Sequence, residues 1–450
     1  MKFNTKIIQE MAKMAAREIK ELGGKNNILE LETEMRKLLK NVGAEAIGMV
    51  LEERDEELRK EKQICRCGNK LSYLQKRSAT IWSVFGPVNY KRSYYVCKTC
   101  KKGKTPLHRR YGIAAGEITP GLAEMIALVG VEVAFAEASK LLNKLLLVSI
   151  SDNTIRKETE RFGCLQQAIE TEWKQQSQNE DWLQARQHEI PDQTGRLYGS
   201  IDGVMAPLQK EWRELKNIVW YKVEKVKCYQ KRRHHAKYPG EQSDLQAKNI
   251  SYHCDIQPAE EFSALFWATA CQRKADRYKE VVFVCDGAAW IWKMIERNFP
   301  DAVQIVDWYH ASEYLPPVAE TTFGRGTSEY AAWLEESRQL LWDGQIDDLI
   351  HRCRSLERVA ENAQPIHNAI SYFSNNQHRM KYAQFRKQGY YIGSGTVESA
   401  CKQISALRLK RAGARWSELG AVQTAKARAA WLSGHWSDIV SRRAALSLAV

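Results

Sequence analysis

The sequence predicts an α/β protein: an alternating strand and helix domain, split by an all-helical stretch and preceded by three smaller modules. Three observations predict it. Between residues 195 and 311, short β-branched and aromatic runs that end in acids alternate with helical patterns. Residues 312–384 carry only helical periodicity. Ahead of both lie a pair of cysteine motifs framing strand-like residues and two helical segments joined by a tight turn. At 450 residues the chain is too long for one core and is expected to form several domains.

Composition narrows the partners. The formal net charge is +14, and it is concentrated. Glu61 to Arg110 holds 13 Lys or Arg against one acid, and Lys402 to Arg428 holds seven against Glu418. Two basic zones that also carry aromatics suit a polyanion, for which phosphate neutralisation dominates affinity. No apolar run approaches the roughly 20 residues of a membrane helix, and the first 20 residues mix charge with apolar residues, unlike a signal peptide. A cytoplasmic, nucleoid-associated protein is expected. The 11 cysteines are odd in number and scattered, which points clustered ones toward metal rather than disulfides.

Residues 1–60 read as two helices separated by Gly23 and Gly24. In the second, Leu31, Met35, Leu38, Leu39, Val42, Ala46, Met49 and Val50 recur at three- and four-residue steps, an amphipathic stripe suited to oligomerisation or domain packing. In residues 61–112, Thr80 to Val84 and Ser93 to Val96 alternate as strands do. Cys65 and Cys67 open the segment and Cys97 and Cys100 close it, a zinc-ribbon-like arrangement. The first pair has one intervening residue, tighter than usual, and His108 is an alternative ligand. Residues 113–165 read as a helix over Glu132 to Leu142, a short turn, and a helix over Asn153 to Phe162. Ser149-Ile150-Ser151-Asp152 resembles a capping box at that second helix, and the whole is a helix-turn-helix-like pattern, with Asn153, Thr154, Arg156 and Lys157 at the end that would read DNA. Residues 166–194 read as a helical linker, ending at the breaker cluster Pro191 to Gly195.

The alternating domain starts there, over residues 195–311. Leu197 to Ile201 reads as a strand ending at Asp202-Gly203. Trp212 to Val223 and Asn249 to Ile256 read as two more, with a basic loop from Lys225 to Lys248 between them. A helix over Pro258 to Tyr278 follows, then a buried strand, Val281 to Cys285, that ends at Asp286-Gly287. A helix over Ala288 to Phe299 and a strand over Val303 to Val306 lead to Asp307-Trp308-Tyr309-His310. Three strands, a helix, a strand, a helix and a strand is the RNase H-like order, in which the first and fourth strands are neighbours. Asp202 and Asp286 are then brought together. Residues 312–384 are the helical insertion, with helices over Ala331 to Trp342 and Ile346 to Val359 and Trp333 and Trp342 as core residues. Stacking of either on a displaced base is the other expectation for these two. The domain resumes over 385–432, where Gly393 to Val397 lead into a helix bearing Glu398, and residues 433–450 read as a tail.

Such acids suit phosphodiester chemistry. In-line displacement uses two divalent ions about 3.5–4 Å apart, and Mg²⁺ or Mn²⁺ takes hard carboxylate oxygens. Lys402 lies one helical turn after Glu398. Arg408, Lys410, Arg411 and Arg415, with Trp416 among them, form a basic stretch that could hold a DNA backbone.

The motifs Ser200-Ile201-Asp202-Gly203, Trp212-Arg213-Glu214, Cys285 to Ile291, Asp307-Trp308-Tyr309-His310 and Gly393 to Glu398 resemble those of bacterial insertion-sequence transposases of the ISKra type, within the Mutator-like DDE superfamily. The resemblance spans about Cys65 to Trp431. It implies a DDE triad at Asp202, Asp286 and Glu398, a helical insertion before the Glu helix, and Asp307 and His310 near the active site. Asp307 thus competes with Asp286 for the second triad position, and the strand order favours Asp286. The implied activity is binding of an element's terminal inverted repeats, metal-dependent cleavage and strand transfer to target DNA by a homo-oligomer. A DNA-binding regulator that keeps the scaffold, or a structure-specific nuclease, are the alternatives.

Overall fold

A computed structural model describes residues 5–21, 27–225, 245–393 and 395–449. Gly23, Gly24, Ser394 and most of the basic Lys225 to Lys248 loop lie outside them. The chain is a mixed α/β protein, with two sheets among the described residues, and falls into two compact units, Met1–Phe162 with Ser437–Val450, and Gly163–Trp436. Among the described residues, no helix is long and apolar enough to cross a membrane.

The first unit opens with α1 (Thr5–Glu21) and α2 (Ile28–Arg59), the latter capped by the Asn27 side chain on the Glu30 N–H. A long hairpin follows, β1 (Leu71–Ser83) and β2 (Gly86–Cys97), with the short β3 (Gly103–Lys104) beside β2. These strands run well beyond the two short runs expected, because alternation is interrupted by a bulge between Tyr73 and Gln75 and the outer face is polar. One face of α2 lies on the hairpin: Ala44 and Leu51 share a core with Ala79, Ile81, Val88 and Tyr90. Leu39, Val42, Met49 and Val50 on its other side are exposed. Asp55, 1% exposed, points from α2 into the hairpin and accepts the Ser93 N–H and hydroxyl.

Next come α3 (Pro106–Tyr111), α4 (Pro120–Glu132), α5 (Phe135–Leu146) and α6 (Asp152–Ser177). Leu122 and Ile126 of α4, Ala138 and Leu142 of α5 and Ile155 of α6 form one core, so the three helices pack as a bundle. Ser151 starts α6 by accepting the Thr154 N–H. The expected linker is corrected here. α6 does not end at Phe162 but continues to Ser177 as one helix, and Leu165, Gln166, Ile169 and Glu170 are buried in the second unit.

In the second unit, α7 (Glu180–Glu189) precedes β4 (Gln193–Pro207), β5 (Trp212–Lys225) and β6 (Leu245–Asp255). Then come α8 (Ala259–Gln272), β7 (Tyr278–Cys285), α9 (Ala289–Asn298) and β8 (Val303–Val306). The sheet order is β6-β5-β4-β7-β8, with β4, β5 and β6 antiparallel and β7 and β8 parallel to β4. Parallel strands are stable when both faces are covered. An aromatic cluster of Trp220, Phe266, Phe283 and Phe299 joins the sheet to α8 and the end of α9 on one face.

The helical stretch comprises α10 (Trp308–Ser312), α11 (Leu315–Phe323), α12 (Ser328–Asp343), α13 (Ile346–Arg354), α14 (Gln364–Asn376) and α15 (Tyr382–Lys387). Trp333 and Trp342 are each 5% exposed and pack in its core, which sets aside their stacking on a base. Then α16 (Gly395–Ala400) widens into a π-helical turn over Cys401–Ala406, and α17 (Glu418–Leu432) packs beside β6. The expected tail is instead α18 (Trp436–Ala449), of which Ser437 onward belongs with the first unit.

Candidate functional site

Two side-chain constellations stand out, one in each unit. In the first, Cys65 and Cys67 sit on a turn leading into β1, Cys97 ends β2 and Cys100 sits on the turn after it. Hairpin pairing aligns Leu71 with Cys97 and so carries both turns to one end. The four sulfurs lie within 4.8 Å of one another. Cys65 Sγ is 3.5 Å from Cys100 Sγ, and Cys67 Sγ is 3.6 Å from Cys97 Sγ. Four thiols closing on one point form a site for a structural metal such as zinc, which prefers tetrahedral thiolate ligands. Asn69 donates to Cys67 Sγ and holds that thiol down to about 6, favouring the thiolate a metal requires. The single residue between Cys65 and Cys67 does not prevent convergence.

His108 is corrected as a ligand. It sits on α3, where its Nε2 lies 2.8 Å from both the Tyr90 hydroxyl and the Arg92 Nε. Burial and the Arg92 charge lower it to about 4, so it is the neutral acceptor of that pair of donors.

The second constellation is a row of acids at the end of the parallel ladder. Asp202 and Asp286 each lie three residues past the aligned pair Gly199 and Phe283. Asp286 and Asp307 each follow the aligned pair Cys285 and Val306. Neighbouring strands are about 4.8 Å apart, so the three acids stand side by side where the parallel pairing stops. Asp202 does not end its strand, as expected from Asp-Gly. β4 continues through Gly203 to Pro207, pairing with β5 alone after β7 has stopped. A Cβ at Gly203 would lie 2.0 Å from Glu214 Oε1, so a larger residue there would have to displace that side chain.

Burial pushes the Asp202 carboxyl above its ordinary value and the Asp286 charge adds to this, while the Cys401 thiol, the Gly203 N–H and His310 oppose it. A neighbouring carboxylate charge in a half-buried place thus adds to the cost of ionising Asp202. Asp307 differs. It is fully buried and its carboxylate caps α10, accepting the His310 N–H at 2.5 Å. His310 approaches Glu313 at 3.5 Å and is close enough to Asp202 to act on its charge.

Glu398 is exposed on α16 and, with Asp307, acts on the Tyr391 hydroxyl. Three residues on, Cys401 opens the π-helical turn and touches Asp202. The acids are not as tightly drawn as the thiols: among the described residues, the cysteines are the group whose ligand atoms all lie within 4.8 Å. Lys402, Lys410 and Arg415 are exposed and Arg411 half-exposed. Arg408 and Trp416 are corrected as DNA contacts. Arg408 is 2% exposed with its guanidinium 5.0 Å over the Trp416 ring, and Trp416 Nε1 donates to the Leu409 carbonyl.

In the first unit, Asn153 and Lys157 are exposed, and Thr154 is half-buried beside Ser151. Arg156 is held by Glu160 at 2.7 Å and by Asn153 at 2.9 Å.

Three residues near the acids escaped the sequence reading. Tyr372 of α14 lies against Gly287, where a Cβ would be 2.1 Å from its ring, and stacks on Tyr314 at 3.9 Å. Its hydroxyl is buried, and the charges of Asp286 and Asp307 help to push it up. Asn217 lies directly opposite Asp202 on β5. Only Cys401 had a signal, its helical spacing from Glu398.

The family described as Uncharacterised protein family (UPF0236) matches residues 24–226, which include the thiol cluster and Asp202 but not Asp286 or Glu398. No curated protein matches the chain.

Proposed function

We propose that the chain is a DNA transposase with an RNase H-like catalytic domain, in which Asp202, Asp286 and Glu398 hold divalent metal for phosphodiester cleavage and strand transfer. The observation that carries this reading is the placement of Asp202 and Asp286 three residues past one aligned pair on adjacent parallel strands, with Glu398 on the helix that touches Asp202. The strand order β6-β5-β4-β7-β8 supports the RNase H-like assignment, and α10 to α15 correspond to the insertion that the motif resemblance implies.

Mg²⁺ or Mn²⁺, when bound, would activate the attacking water or 3′-hydroxyl and steady the leaving oxygen. The chain's own residues do the remainder. Asp202 and Asp286 concentrate negative charge at the strand ends, and Glu398 adds an exposed carboxylate from the helix side. Lys402, Lys410, Arg411 and Arg415 provide cations for a phosphate backbone. Asp307 orients the His310 backbone through its cap and leaves the imidazole half-exposed beside the acids, placed to meet a phosphate. The thiol-bound module and the α4–α5–α6 bundle, with Asn153, Thr154 and Lys157 at the start of α6, serve as DNA-binding elements. Working on two DNA ends requires a homo-oligomer, and the protein acts in the cytoplasm at the nucleoid.

The test is cleavage of a labelled duplex carrying the DNA ends that flank the coding sequence, with Mg²⁺ or Mn²⁺. Wild type should cut at defined positions and Glu398→Ala should not. Tight binding without cleavage would favour a regulator, and cleavage with no joining of pre-cut ends would favour a nuclease.

A further inference from the structure

The Asp202 carboxylate is held from two directions. Its Oδ1 accepts the Gly203 N–H at 2.7 Å, and its Oδ2 accepts the Cys401 S–H at 3.2 Å. The sulfur in turn accepts an N–H from Asn217 Nδ2 at 3.5 Å, and that same amide nitrogen donates to the Leu215 carbonyl at 3.1 Å. Asn217 is fully buried and pairs with Asp202 across the β4–β5 ladder, while Cys401 opens the π-helical turn that follows α16. Two strands and one helix thus meet at a single thiol.

The final torsion of an aspartate is broad and soft, so a carboxylate on a strand does not choose its plane unaided. Ligand oxygens that must meet a cation are useful when donors outside the coordination sphere set that plane. A carboxylate offers about four lone-pair positions. Gly203 and Cys401 take one on each oxygen, which leaves both oxygens able to bind. A thiol is a weak donor, so it orients the group without cancelling its charge. The π turn fits this task, since widening the helix at Cys401 displaces the thiol from the path an α-helix would give it.

We infer that Cys401 is a positioning residue: its thiol, anchored by Asn217, locks the Asp202 carboxylate in the orientation that meets a metal shared with Asp286. This rests on the reading of these acids as metal ligands. Cys401 touches neither substrate nor metal and acts through Asp202 alone.

The experiment compares full-length wild type, Cys401→Ala, Cys401→Ser and Asp202→Asn. Mn²⁺ binding is followed by calorimetry, and the Cys401 S–H stretch is isolated as the infrared difference between wild type and Cys401→Ala. Cys401→Ala, folded by circular dichroism, should bind Mn²⁺ about tenfold more weakly, the low end for losing such a partner. Cys401→Ser, which keeps a donor, should recover most of that loss. Asp202→Asn should move the S–H band toward that of a weakly bonded thiol. A band that does not respond to Asp202→Asn, or Mn²⁺ affinity unchanged in Cys401→Ala, overturns the lock. Absence of Mn²⁺ binding in wild type, with a responsive band, overturns the metal reading instead and removes the lock's purpose with it.

Discussion

Asp307 holds the backbone N–H of His310 with its buried carboxylate, and this cap engages the acid that the sequence offers as the alternative to Asp286. The two acids sit side by side just past the ends of β7 and β8, so only their surroundings separate them. Replacing a side-chain N-cap with Ala costs about 0.5–2 kcal/mol, whereas Asn caps as well as Asp. Asp307→Ala should therefore lower the melting temperature and Asp307→Asn should hardly change it. Asp286→Ala should leave stability nearly intact and abolish metal-dependent cutting. Undiminished cutting by Asp286→Ala, with cutting lost in Asp307→Asn, would reverse the assignment.

The thiol cluster should bind one zinc per chain, released by a colorimetric chelator after thiol modification. Cys97→Ser should lose the metal and loosen the hairpin end, seen as faster proteolysis near Cys65 to Lys104. His108→Ala should retain full zinc, because its imidazole belongs to Tyr90 and Arg92. Zinc loss in that variant would restore His108 as a ligand.

A buried ion network ties α6 to α17 and β6. Lys426 Nζ lies 2.5 Å from Glu170 and 3.0 Å from Asp255, with all three side chains at most 7% exposed. Removing one partner of a buried pair costs about 3–5 kcal/mol because the other charge is stranded. Lys426→Met should show a loss of that size in urea unfolding. A loss below about 1 kcal/mol, the worth of a solvated pair, would contradict the buried geometry.

The same network sets an acid limit. Burial pushes Glu170 up, but Lys426 and His253 more than reverse it and hold it at about 2, against an ordinary 4.5. A carboxyl lowered in the folded state adds stability above its unfolded value and loses it as pH falls through its folded value. Wild-type stability should thus decline as pH drops from about 4.5 toward 2. In Glu170→Gln that segment of the profile should flatten, read from unfolding midpoints at each pH.

Gly163 of α6 faces the backbone of Gln423 on α17, where a Cβ would lie 1.8 Å from the carbonyl oxygen. A main-chain oxygen cannot swing aside. Gly163→Ala should destabilise by about 1–3 kcal/mol through forced separation of the helices, measured by thermal unfolding. A neutral result would show that the helices cross less closely.

Much of the second unit was legible because its strands carry β-branched and aromatic runs, two of which stop just before an acid, Asp286 and Asp307. Trp212 to Lys225, Tyr278 to Cys285 and Val303 to Val306 are strands within a few residues of their expected bounds. What failed depends on tertiary contact. Arg408 and Trp416 carry the pattern of a surface that grips nucleic acid, but a stacked cation and ring have the same composition inside a core. His108 had ligand chemistry and roughly ligand spacing, and a hydrogen-bonded interior claimed it. Tyr372 lies far along the chain from Gly287, and no local pattern could bring it there. The α6 continuation was hidden because Gln166 and Glu170 look like solvent-facing residues, yet they are buried.

That β4 runs on past Asp202 has a further consequence. An acid in a loop can tolerate small insertions nearby, because the loop absorbs them. An acid inside a paired strand is placed by parity: successive side chains point to opposite faces, so adding one residue between Leu197 and Asp202 would send the carboxylate to the side of Trp220 and Phe283. Length variation among related sequences should therefore be excluded from this stretch, even where residue identity drifts.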